Sequence, residues 1–172
     1  MLIEILKRTP LWVFALFLVL ATVGYFQSRD RNVGRAKVTI LPLAMIALSF
    51  YGVISAFGMN PGAVIYWAVG FAAMVWLGAI LALPRGISYT AETQTFFVPG
   101  SWLPLALMMA IFFTKYTVGV ILARRLAIAD EPIFISIISL CYGLFSGIFF
   151  SRALVILRTS APSAYRIKTD TL

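Results

Sequence analysis

The sequence has no histidine, a single cysteine, and six acidic residues against fourteen basic ones. Without histidine there is no His-ligated haem, no ordinary zinc or copper site and no imidazole general base. One cysteine excludes an intrachain disulfide, and the apolar run around Cys141 marks it as a small packing residue. No G-x-S-x-G, P-loop or H-E-x-x-H pattern occurs. Neither an enzyme nor a bound cofactor or metal is expected. No apolar run contains Asp or Glu, so a buried lysine would lack the carboxylate counter-ion that a retinal Schiff base needs.

Charge is scarce altogether. Charged residues make up 12% of the 172 and hydrophobic ones 62%, where a soluble domain carries about 25% charged residues. The chain is therefore read as one integral membrane domain, 1–172. A formal charge of +8 in a soluble protein would point to nucleic acid. Here no nucleic-acid partner is expected, because membrane proteins collect Lys and Arg in their cytoplasmic loops.

Five apolar runs predict five transmembrane helices, at about 10–27, 38–57, 63–83, 102–124 and 133–157, with a polar tail over 158–172. Lys7 and Arg8 ahead of the first run resemble the start of a signal peptide. The run ends in GYFQSRDR with no small-x-small site, so an uncleaved span is expected. Between the third and fourth runs, Ile87–Thr90 and Thr93–Val98 are rich in β-branched and aromatic residues. They predict a small interfacial β-hairpin, with Phe96 and Phe97 facing lipid or the bundle. The fold class is thus all-α, with one surface hairpin.

Basic residues set the orientation. One side carries Arg29, Arg31, Arg35, Lys37, Arg85, Arg158, Arg166 and Lys168, the other Lys7, Arg8, Arg124 and Arg125. The excess predicts N-terminus outside and C-terminus inside. The cluster Arg29, Arg31, Arg35 and Lys37 is a topology signal that can touch anionic lipid. Arg152, inside the cytoplasmic end of the fifth run, is expected to snorkel. Arg124 and Arg125 are expected to bridge to Asp130 and Glu131 across a short loop.

One charge is out of place. Lys115 stands near the middle of the fourth run, nine residues before Arg124. A central lysine costs about 2.5–3.5 kcal/mol on insertion scales. Two readings follow: a contact for an anionic or carbonyl-bearing solute, or a structural lysine bonded to neighbouring hydroxyls and carbonyls. Gly119, one turn away, leaves space beside it. Tyr116, Tyr51, Tyr142, Ser49 and Ser146 are the candidate hydroxyl partners.

In the fifth run Ser139, Gly143, Gly147 and Ser151 recur every four residues and make a face with almost no side chain. Such a face packs on another helix, either within the chain or in a homodimer. Gly70, Gly78 and Ala82 form a similar stripe in the third run. SFYGVISA (49–56) parallels LCYGLFSG (140–147), and the first run parallels the fourth through Pro-Leu and Val-Gly pairs. That pattern fits an inverted repeat with the third helix as linker. A competing match, LPLA at 41–44 and 103–106, pairs the second run with the fourth.

The segments PGSWLPL (99–105), IFFTKY (111–116) and YGLFSGIFFSR (142–152), with QSRDR after the first run, resemble a family of short bacterial inner-membrane proteins, a domain of unknown function. The resemblance implies a multi-pass inner-membrane location and no particular activity. The favoured expectation from the residues is a small-solute transporter or channel-like carrier, a homodimer, with Lys115 as the solute contact. The alternative is a non-catalytic accessory or assembly subunit of a membrane complex. Membrane lipid is a partner on either reading.

Overall fold

The computed structural model describes residues 10–81, 86–90 and 92–159. The lead before Pro10, Arg85 in the hairpin loop, and Arg166 and Lys168 in the tail lie outside the described residues. In chain order the elements are α1 (Leu11–Gln27), β1 (Arg31–Gly34), α2 (Arg35–Phe57), α3 (Pro61–Leu81), β2 (Ser88–Thr90), β3 (Thr95–Val98), α4 (Leu103–Ala123), a 3-10 turn (Ala127–Asp130) and α5 (Pro132–Arg158). The helices α2 to α5 are long and apolar enough to cross a membrane. With 17 residues α1 is shorter, about 26 Å at ~1.5 Å per residue. It is apolar and lies along α4.

Two helix groups make up the bundle. In the first, α5 packs along the whole of α3 and on α2. The small residues explain how close α3 and α5 come. A Cβ added at Gly143 would collide with the carbonyl oxygen of Trp67 and lie 2.9 Å from the amide nitrogen of Phe71. One added at Gly147 would lie 2.7 Å from Phe71 O and from Met74 Cβ. From the other side, Gly78 receives the Ser151 side chain and Gly70 the backbone of Leu140 and Leu144. The small face of α5 is thus filled within the chain, by α3, and is not free for a second copy.

In the second group α1 runs antiparallel to α4. Phe17 meets Phe112 with ring centroids 5.4 Å apart, Tyr25 meets Trp102 at 6.4 Å, and Gly24 receives Leu105. The two groups meet where Leu107 and Met108 of α4 pack with Phe149 of α5, flanked by Met45 of α2. Contact between α4 and α5 is otherwise sparse.

The expected hairpin forms, but it is part of a three-stranded sheet with order β1-β3-β2. The third strand comes from the basic loop after α1. Its four residues pair antiparallel with β3, Val33 opposite Phe96 and Gly34 opposite Thr95. On β3's other side Tyr89 is opposite Phe96. This cross-strand row faces the bundle. Phe96 is 0% exposed, with its ring 4.9 Å from that of Tyr89. Val38, Val98, Ala153 and Ile156 complete the cluster. Phe97, on the opposite face by the period-2 rule, is exposed. The sheet is closed against α1 and α4 by hydrogen bonds from Gly100 N–H to Asp30 Oδ1 (2.7 Å) and from Ser101 N–H to Gln27 O (3.2 Å).

Three further expectations are corrected. The second helix begins at Arg35, not near 38, so Arg35 and Lys37 stand in its first turn. Among the described residues no ion pair joins Arg124 or Arg125 to Asp130 or Glu131, and all four side chains are exposed. Arg125 instead ends α4 with φ of 49°, the left-handed turn at which helices commonly stop. The two YG-x-x-S motifs also have unlike surroundings. Gly52 faces Lys115 and Tyr142, whereas Gly143 faces the α3 backbone.

Gly143→Ala is expected to destabilise the protein by about 1–3 kcal/mol, because its Cβ meets backbone that cannot swing away. Gly34→Ala, where an added Cβ meets nothing within 4 Å, is expected to stay within about 0.5 kcal/mol. Thermal denaturation in detergent, followed by circular dichroism, checks the pair.

Candidate functional site

Lys115 is the thirteenth residue of α4, about 12 Å along the axis from the helix end at Ala123. Lys115 is an exposed residue of the bundle, and its tip reaches Gly52 of α2 and the Tyr142 ring of α5. The Nζ lies 5.6 Å from the centroid of the Tyr142 ring, within cation–π range. It rests against Gly52 so closely that an added Cβ there would be 2.9 Å away. The ammonium has neither a hydrogen bond nor an ion pair among the described residues.

A fixed polar network lies behind Tyr142. The Ser49 hydroxyl donates to the carbonyl oxygen of Tyr142 at 2.9 Å and accepts from Trp67 Nε1–H at 2.9 Å. Three helices are thereby tied at one level. The Ser49 proton and one of its lone pairs are thus engaged by the neighbouring helices and not by the ammonium. Ser146 is 2% exposed in the core of α5. Tyr116 stacks on Phe112 with an interplanar angle of 7°. Tyr51 is 67% exposed on the outer face of α2, because Gly52 next to it takes the inward position. Of the expected constellation, Lys115, Tyr142 and Ser49 come together, and Tyr51 does not join them.

Two contributors were not foreseen. Gly52 makes the recess for the ammonium, and its one sequence signal is its place in YG-x-x-S. Trp67 is the hydrogen-bond partner of Ser49, one helix away. Around Lys115 the seam is uneven. Toward the sheet it is packed by Leu107 and Met108. One turn the other way Gly119 is exposed, and a Cβ there would meet nothing within 4 Å.

A second group of cations gathers at the sheet end. Arg31, Lys37 and Arg152 line one cavity of about 70 Å³, with Gln27 beside them. Arg31 donates through Nη2 to Gln27 Oε1 at 3.1 Å. Burial pushes its guanidinium pKa below the ordinary value, yet an arginine remains a cation at neutral pH. Arg152 does not snorkel to open solvent. It is half-buried in this cavity, with Phe149, Ala153 and Ile156 around it. Arg29 lies over the Tyr25 ring and donates to its hydroxyl, away from the cavity.

Ser139 on the small face of α5 is 0% exposed, and its Oγ has no hydrogen-bond partner among the described residues. Its small volume suits the close helix contact, at a cost of about 1–3 kcal/mol for an unmade bond. No cluster of metal-ligating residues occurs among the described residues.

Residues 1–165 match the family of unknown function DUF6622. The chain belongs to that family. The motifs quoted from 99–105, 111–116 and 142–152 all lie inside the matched DUF6622 region. No curated protein and no solved structure matches the chain.

Ser49→Ala removes the acceptor of Trp67 Nε1–H and is expected to cost about 1–3 kcal/mol. Ser55→Ala removes a bond within α2 from the Ser55 hydroxyl to Gly52 O and is expected to change stability by about 0.5 kcal/mol or less. Parallel thermal denaturation of the two variants checks this.

Proposed function

We propose that this DUF6622 protein is a multi-pass protein of the bacterial inner membrane that binds a small anionic or carbonyl-bearing solute at Lys115 and carries it across. The observation that supports this is an ammonium without a charge partner among the described residues, at the seam of two helix groups and one turn from the exposed Gly119. The energetics favour a ligand. The Tyr142 ring returns about 0.5–2 kcal/mol, against about 2.5–3.5 kcal/mol for a lysine at membrane depth. A solute carboxylate or carbonyl supplies the missing acceptor. The sparse contact between α4 and α5 gives the helix groups a boundary along which they can rock, the motion that alternating access requires.

Lys115→Met keeps the stem and removes the charge. It is expected to abolish ligand-induced thermal stabilisation in a screen of small carboxylates and phosphate esters, while melting temperature without ligand and monodispersity stay near wild type. Gly52→Ala, which crowds the ammonium without removing it, is expected to weaken the same response several-fold. Equal responses from wild type and Lys115→Met would contradict the proposal. Silence in both proteins, with a partner retained stoichiometrically through gentle purification, would favour the accessory-subunit reading instead.

A further inference from the structure

The cavity of about 70 Å³ at the sheet end stands apart from Lys115 and has its own chemistry. It lies where α1 ends, α2 and α4 begin and α5 ends. Arg31, Lys37 and Arg152 line it, and no acid among the described residues does. Asp30, the nearest acid in the chain, is engaged with Gly100 N–H. Arg31 and Arg152 line the same recess, and Lys37 in the first turn of α2 sits at the positive end of that helix's dipole. Three like charges held around one recess are unfavourable unless an anion joins them.

The walls narrow the choice of anion. Two guanidiniums and an ammonium match an oxyanion that accepts several charge-assisted hydrogen bonds. A single water needs about 10–15 Å³, so the cavity takes a group the size of phosphate but not a bulky solute. One wall is apolar, made by Val38, Pro42 and Phe149. Leu41 lines the cavity and is also 42% exposed, continuous with exposed Ile40 and Leu43 on the outside of α2. A phosphate bearing acyl chains would find its head in the recess and its chains along that face. Basic pockets between membrane helices take lipid headgroups in this way.

We propose that the recess bounded by Arg31, Lys37 and Arg152 is a binding site for a phosphate group, supplied by an anionic phospholipid lying against α2. The site is independent of the solute reading at Lys115, because no residue is shared and the two lie at different depths of the bundle.

The test uses the full chain in neutral detergent. Retention of phosphatidylglycerol and of phosphatidylcholine is compared by native mass spectrometry, and stabilisation by inorganic phosphate is measured by thermal shift. Phosphatidylglycerol is expected to be retained over phosphatidylcholine, and less so at high salt. The double variant Arg31→Gln, Arg152→Gln is expected to weaken retention by about tenfold or more. Arg124→Gln, Arg125→Gln, at the other end of the bundle, is expected to leave it unchanged. Lys37→Gln alters an exposed side chain, keeps the fold and is expected to weaken binding several-fold, so the proposal stays testable if the double variant fails to fold. Saturable stabilisation by inorganic phosphate, lost in Lys37→Gln and without lipid preference, would support the phosphate site and overturn the lipid as its source. Equal retention of both lipids with no response to phosphate, or variants that bind like wild type, would overturn the site itself.

Discussion

The close approach of α3 and α5 is the constraint on which the bundle rests. Lipid chains are as apolar as leucine, so membrane helices gain little by hiding apolar surface from one another. They associate by packing closely, and Gly70, Gly78, Gly143 and Gly147 let backbone meet backbone. The parallel pair so formed is a platform for α2. Ser49 locks it in place by bridging the Tyr142 carbonyl and the Trp67 indole. At the sheet end, Phe96 and Val98 seal α2 and α5 under the three strands. Nothing comparable ties α4 to α5. The pair α1–α4 is held internally by aromatic rings and leans on the platform through Leu107 and Met108. A seam is the consequence of packing one side tightly and the other loosely.

Cations without acidic partners among the described residues stand at two levels of this architecture. Lys115 is in the seam, with a recess at Gly52 and an aromatic face at Tyr142. Arg31, Lys37 and Arg152 converge at the sheet end. The acids among the described residues lie in loops. Both places therefore present positive charge, and these are the two places at which ligand binding is proposed.

Much of this was legible in the sequence. The five helices follow from apolar runs, of which those of α2 to α5 are long enough to cross a bilayer, and the small face of α5 follows from a fourfold spacing. The identity of the helix against that face does not follow. A stripe of glycine and serine fits any close neighbour, so α3 and a second copy are indistinguishable until backbone positions are known. The strand β1 was hidden because three of its four residues, Arg31, Asn32 and Gly34, lack strand propensity. It forms because β3 offers an open edge and Val33 can reach Phe96. Around Lys115 the register of α2 decided the outcome. Tyr51 and Gly52 are neighbours in sequence, but a rotation of about 100° per residue turns one to lipid and the other to the ammonium. The convergence of Arg31 and Arg152, far apart in the chain, needed the helix ends to be placed in space.

The central claim is that the seam brings water, and so solute, to Lys115. Single-cysteine accessibility tests it most directly. In a Cys141→Ala background, Lys115→Cys, Gly119→Cys and Tyr51→Cys are treated in proteoliposomes with a charged, membrane-impermeant thiol reagent. The account predicts modification at 115 and 119 and none at lipid-facing 51. Cysteines at 115 and 119 as inert as the one at 51 would contradict it.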